Sequence, residues 1–230
     1  AARQEAKGGQ TLQSADLAMA APLPPWAGVE AAQEASPPRP LAPSRVSAEP
    51  TALSPLKGDG KVRYQRGIVI HRLLQSLPEI PRARRPAAAK MFVGRSAWGF
   101  DANTRAAIAA ETLAVLNNPD FAPLFAPGSR AEVSLTGRVG KHIISGQVDR
   151  LAVTSTDVWI IDYKTNRPPP QDRAQVDTSY VLQMATYCAA LQAIYPGHRV
   201  HCALLWTDGP FTMELDHGQM DDALRQFNLL

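Results

Sequence analysis

Between Ala131 and Thr165 the chain repeats one pattern three times: a short run rich in β-branched residues, then a polar break. The runs are AEVSLTGRV, KHIISGQVDRLAVT and DVWIIDYKT, separated by Gly or by Ser-Thr-Asp. Such runs read as consecutive antiparallel strands joined by tight turns. This meander is the part of the sequence that most restricts the fold, because everything else must cover its faces.

Helical spacing flanks it on both sides. RGIVIHRLLQSLPEI (66–80) places Ile70, Leu73, Leu74 and Leu77 on one face, and Pro78 and Pro81 end the run. ANTRAAIAAETLAVLN (102–117) is a second helix. TSYVLQMATYCAALQAIY (178–195) is a third, with HRVHCALLWT (198–207) a strand, residues 212–216 another, and 219–228 a closing helix. The expected order is α, α, βββ, α, ββ, α, a mixed α/β sheet flanked by helices.

The N-terminal quarter obeys a different rule. Residues 22–55 hold nine of the 20 prolines, and proline removes backbone donors and fixes φ. Residues 1–60 therefore read as a Pro-rich, partly disordered tether with Trp26 and Leu41 able to dock, and residues 61–230 as the folded domain. Residues 1–90 carry 13 Lys+Arg against 7 Asp+Glu, and residues 91–230 carry 11 against 14, so a basic entry precedes a mildly acidic body. That balance suits a phosphate-tracking face or a solvated tail.

Several classes of function drop out. No run approaches the roughly 18 apolar residues needed to span a bilayer. Two cysteines, Cys188 and Cys202, are too few for a disulfide scaffold, a four-Cys zinc site or a four-Cys iron–sulfur cluster. GRVGKH (137–142) is not G-x-x-x-x-G-K-[ST], so no ATP site is expected. The start AARQEAKGGQ has no Met and no apolar h-region, which suggests a fragment of a larger cytoplasmic protein.

The chemistry concentrates in GQVDRLAVTSTDVWIIDYKT (146–165). Strand side chains alternate, so Asp162 and Lys164 share a face at the end of an apolar run and Arg150 points away from Asp149. Ionisable groups closing such a run mark a strand emerging into a cleft. Carboxylates on neighbouring strands, Asp149 and Asp162, suit a hard divalent cation, and Lys164 can offset charge at a phosphate. Alone, a D-x-K pair is a surface ion pair, and Arg150 a cross-strand partner for an acidic neighbour. In combination, G-x-x-D-R, a short turn, an apolar strand and D-Y-K-T in that order are harder to read as surface pairs alone.

The set Gly146-Gln-Val-Asp149-Arg followed by Ile-Ile-Asp162-Tyr-Lys164-Thr resembles the core of the PD-(D/E)xK nucleases in their RecB-like branch. Gly67-x-x-x-His71, Gln183-x-x-x-Tyr187 and Glu132 resemble further positions of that family. The resemblance implies a restriction-endonuclease-like αβββαβ core over about residues 62–207. It implies a metal held by His71, Asp149, Asp162 and the backbone carbonyl of Tyr163, with Asp149, Asp162, Lys164 and Glu132 catalytic. Gln183 and Tyr187 would line the site and touch DNA, and Arg66, with Lys61, Arg63 and Arg72, would track phosphates. The family uses Mg²⁺, for which Mn²⁺ can substitute.

The segment entering the first helix, with PLAPSR and LSPL before it, is similar to the region entering the nuclease domain of AddA-type helicase–nuclease subunits. That resemblance implies a cytoplasmic DNA nuclease of double-strand break repair, cutting as an exonuclease or an endonuclease. Its DNA substrate would be single strands from unwound duplex ends, and its partners an AddB-like subunit and the helicase part of the parent chain. The alternative is a non-catalytic DNA-binding or subunit-docking module of the same fold.

Overall fold

A computed structural model describes residues 24–28, 40–43 and 59–229. Most of the proline-rich stretch, and the side chain of Trp26, lie outside the described residues. Two units are distinguished, Ala1–Pro37 and Pro38–Leu230. In the first, Pro25–Gly28 forms a 3₁₀ turn. All that follows concerns the second.

Five strands form one sheet in sequence order, β1 (Arg130–Val139), β2 (His142–Val153), β3 (Asp157–Lys164), β4 (Arg199–Trp206) and β5 (Phe211–Glu214). β1, β2 and β3 pair antiparallel, as their short turns require. β3 and β4 pair parallel, which demands a crossover, and β5 returns antiparallel to β4. Among the described residues, five α-helices surround the sheet: α1 (Asp59–Ser76), α2 (Arg85–Val93), α3 (Ala102–Asn117), α4 (Thr178–Ile194) and α5 (His217–Gln226). α4 is the crossover. The sequence α1, β1–β3, α4, β4 is the αβββαβ order anticipated above.

Two apolar cores lie on opposite faces of the sheet. One holds Val148, Ile160, Leu204 and Trp206 against Leu182, Ala185 and Leu191 of α4 and Met220 and Leu224 of α5. The other holds Ile161, Tyr163, Ala203 and Leu205 against Val69, Ile70, Leu73 and Leu74 of α1 and Ile108 and Val115 of α3. β3 is thus covered on both faces, which explains why Val158–Ile161 is continuously apolar rather than alternating. Leu41 adds a short parallel bridge beside β2, donating to Ile143 O at 2.8 Å and accepting from Ser145 N at 2.9 Å. Cys188 of α4 and Cys202 of β4 are free and buried.

Two elements depart from the sequence expectation. α1 starts at Asp59, two turns before the apolar periodicity; residues 60–64 are exposed, so no core face announces them. α2 was not anticipated at all. Its segment RPAAAKMFV opens with Arg and Pro86, and proline in a first helical turn costs no hydrogen bond. Buried Ala89 and Val93 then give it a narrow inner stripe. No helix among the described residues is long and apolar enough to cross a membrane.

Candidate active site

The site begins where two ladders come apart. β2 and β3 pair from Val153↔Val158 as far as Arg150↔Ile161 and no further. Beyond that point the carboxylate of Asp149 takes the place of a backbone acceptor: its Oδ2 receives the Tyr163 N–H at 2.8 Å. On the other side, the β1–β2 register skips the Glu132–Asp149 step, where Glu132 has φ 53°. A non-glycine residue in the left-handed region is uncommon and marks local strain. The facing of β2 also slips by one here. Ile144 and Val148 belong to the α4 core, and so does Leu151, while Arg150 turns to α1 and donates to Leu74 O at 2.8 Å. Asp149 and Glu132 are the residues left at this irregularity.

His71 comes to the same place from α1. His71, Glu132 and Asp149 each offer a ligand atom, and these atoms lie within 4.8 Å of one another. His71 Nδ1 stands 3.4 Å from Asp149 Oδ2, and its ring meets that of Tyr163 edge-on at 5.6 Å. α1 can approach because Gly67, one turn before His71, has no side chain; a Cβ there would sit 3.1 Å from Thr165 Oγ1 at the end of β3. α1, Glu132 of β1 and Thr165 after β3 border an open cleft of about 450 Å³.

The charges in this group are unbalanced. Burial pulls the His71 imidazole toward its neutral form, yet the hydrogen bond to Asp149 and the charges of Asp149 and Asp162 outweigh it and leave the imidazole above its ordinary value. Burial, and then the charge of Asp149, push the Glu132 carboxyl up. Both groups therefore hold a proton more tightly than they would in water, and a divalent cation at the cluster would compete with it.

Asp162 and Lys164 form a second, deeper group. Lys164 Nζ lies 2.8 Å from Asp162 Oδ2, with side chains only 11% and 7% exposed. Gln183 of α4 donates its amide to the other oxygen, Asp162 Oδ1, at 3.1 Å. The ammonium also rests 3.6 Å from the centre of the Tyr180 ring. Burial alone would lower the Lys164 pKa, but Asp162 overrides it and holds the amine protonated. Burial raises Asp162 in turn, with Lys164 opposing. One turn beyond Gln183, the Tyr187 hydroxyl accepts the Gln147 N–H at 3.3 Å. Its ring lies where a Cβ on Gly146 would fall, at 2.6 Å.

The sequence profile of the PD-(D/E)XK nuclease superfamily matches residues 49–223. The chain belongs to the PD-(D/E)XK nuclease superfamily. Among solved structures, a protein of Eubacterium rectale provisionally described as an exonuclease aligns at 14% identity and TM-score 0.39, over 53% of this chain and 50% of that one. The protein SSO0001 aligns at 17% identity and TM-score 0.28, over 69% and 73%. The chain thus spans half the length of the first of these. No curated protein matches it.

PD-(D/E)XK nucleases typically use divalent metals, and the donor set of this chain fits one. Ligands about 2.1 Å from a single ion stand at most about 4.2 Å apart, so the His71, Glu132 and Asp149 atoms need only a small contraction. Two carboxylates and an imidazole suit a hard or borderline cation. Asp162 is not one of these three; Lys164 and Gln183 meet its two carboxylate oxygens.

The remaining residues singled out in the sequence are placed differently. Arg66 turns away from the cleft and pairs with Glu111 of α3. Tyr163 engages the site through its main-chain N–H, while its ring packs beneath, and burial pushes its hydroxyl up to about 12. Arg150 is fully buried and, among the described residues, pairs with no carboxylate. It bonds Leu74 O, the Tyr163 hydroxyl and Ser129 Oγ, and its guanidinium covers the Phe125 ring.

One residue was invisible from the sequence. Glu111 sits inside an Ala-rich helix with no motif around it, yet its carboxylate joins Arg66 of α1, Arg167 after β3 and the Thr207 hydroxyl after β4. Thr207 N in turn donates to Lys164 O at 3.0 Å. Only the tertiary structure brings these three segments to one carboxylate.

Proposed function

We propose that this chain is a metal-dependent deoxyribonuclease that hydrolyses phosphodiester bonds of single-stranded DNA. The observation that carries the reading is the convergence of His71, Glu132 and Asp149 near the buried Asp162–Lys164 pair, with His71 and Glu132 lining one open cleft. Mg²⁺ is the proposed ion, with Mn²⁺ able to replace it. When bound, the ion supplies charge stabilisation at the phosphoryl oxygens.

The chain's own residues perform the rest. Lys164 presents a protonated amine, fixed by Asp162 and the Tyr180 ring, to the scissile phosphate or to the attacking water. Water adds to phosphorus and gives up one proton to solvent, the bond to the leaving oxygen breaks, and that oxygen takes up a proton. Gln183 prevents Asp162 from rotating away from Lys164. Tyr187 anchors β2 two residues before Asp149.

The wider setting we propose is a cytoplasmic helicase–nuclease of the AddAB kind, acting in double-strand break repair with an AddB-like subunit. The likeness of PLAPSR, LSPL and RGIVIHRLLQSLPEIP to the segment entering the nuclease domain of AddA-type subunits supports it.

Cleavage of end-labelled single-stranded DNA in Mg²⁺ tests the reading. Asp149→Asn is the informative variant, since its amide oxygen can still accept the Tyr163 N–H. Cutting by the wild type, lost in EDTA and in Asp149→Asn, is the expected result. No cutting by the wild type in Mg²⁺ or Mn²⁺, alone or with its helicase partner, would leave a docking module instead.

A further inference from the structure

The cleft wall on α1 carries an aromatic residue that neither core uses. Tyr64 is 63% exposed and lines the same cleft as His71 and Glu132. Tyr64, Ile68 and His71 follow one another along a single helix face. At 1.5 Å per residue, Tyr64 stands roughly 10 Å along the axis from His71. Arg63 and Arg72 border the same cleft, and among the described residues neither forms an ion pair with a carboxylate. The Arg72 guanidinium is braced 5.5 Å from the Trp98 ring centre, which limits its freedom.

An exposed ring between two unpaired cations, leading to a cluster of acidic groups, is suited to a polyanion that also carries flat faces. We propose that Tyr64 is a stacking platform for a base of single-stranded nucleic acid, seating the nucleotide next to the scissile phosphate. Arg63 and Arg72 hold the flanking phosphates. Stacking of this kind tolerates any base and adds to backbone attraction. The proposal rests on the nuclease reading for its substrate, but the ring's role is one of binding and can be read without cleavage.

The test uses single-stranded oligonucleotides with one 2-aminopurine at successive positions, mixed with the whole chain in EDTA so that nothing is cut. The wild type is expected to quench the fluorescence at one position. Tyr64→Ala should lose that quench and bind roughly tenfold more weakly. Tyr64→Phe and Tyr64→Trp should keep both, because the ring and not the hydroxyl does the work. Full quenching by Tyr64→Ala, equal loss in Tyr64→Ala and Tyr64→Phe, or no binding by the wild type overturns the proposal. A chain that quenches yet never cuts in Mg²⁺ or Mn²⁺ removes the nuclease reading and leaves the platform. A chain that cuts without any quench removes the platform alone.

Discussion

Asp149 Oδ2 accepts the Tyr163 N–H at 2.8 Å, so a side chain occupies the position where a strand carbonyl would otherwise close the β2–β3 ladder. The bond fixes the carboxylate on the strand end that carries Asp162 and Lys164. It also explains how an antiparallel pair can open without leaving a buried N–H unsatisfied. The cleft opens beside this split, bordered by α1, by Glu132 of β1 and by Thr165 after β3.

Gly146 leaves room for the Tyr187 ring of α4 against β2. A Cβ there would fall 2.6 Å from both Cε1 and the hydroxyl of Tyr187. Gly146→Ala is expected to destabilise the chain by about 1–3 kcal/mol through overpacking. Tyr187→Ala in the same chain removes the clash, so the double variant should lose less than the sum of the two singles. Denaturant unfolding of the four proteins measures this, and simple additivity would contradict the contact.

Glu111 holds α1, the segment after β3 and the end of β4 to one buried carboxylate. Glu111→Ala leaves the Arg66 guanidinium, 14% exposed, without its partner. Removal of one member of such a pair costs about 3–5 kcal/mol. A melting experiment that finds the variant as stable as the wild type would show that the three segments are held by other means.

Far from the cleft, His201 lies between Asp157 Oδ1 at 3.0 Å and Glu214 Oε1 at 2.8 Å, stacked on Trp159. Burial would lower its pKa, but the bonds to Glu214 and Asp157 raise it overall. A histidine raised on folding contributes stability that is complete below its unfolded value, near 6.5, and is lost as pH climbs through the folded value. His201→Phe should therefore lower the melting temperature more at pH 5.5 than at pH 9. An equal loss at both would mean that the imidazolium contributes nothing.

The strands and the long helices were legible because each has a local signature. Two β-branched runs with a polar turn give a hairpin, and an apolar run ending in Asp-x-Lys gives a strand that leaves the core. α2 was not legible, because its inner stripe is only Ala89 and Val93 between exposed basic residues. The arrangement within the site was only half legible. Strand alternation puts Asp149, Asp162 and Lys164 together, but it does not foresee the slip at Glu132. That slip moves Glu132 toward His71, while Asp162 is taken up by Lys164 and Gln183. Arg66 reads as a cleft residue until α3 supplies Glu111, forty-five positions away.

The most direct test of the account is the binding of Mn²⁺ to the intact chain, followed by electron paramagnetic resonance, in the wild type and in His71→Ala, Glu132→Gln and Asp149→Asn. The account predicts saturable binding by the wild type, weakened at least roughly tenfold in each variant, as loss of a direct ligand requires. It also predicts competition by Mg²⁺. Binding unchanged in all three variants, or none in the wild type, would contradict the assignment of these side chains as the seat of the catalytic ion.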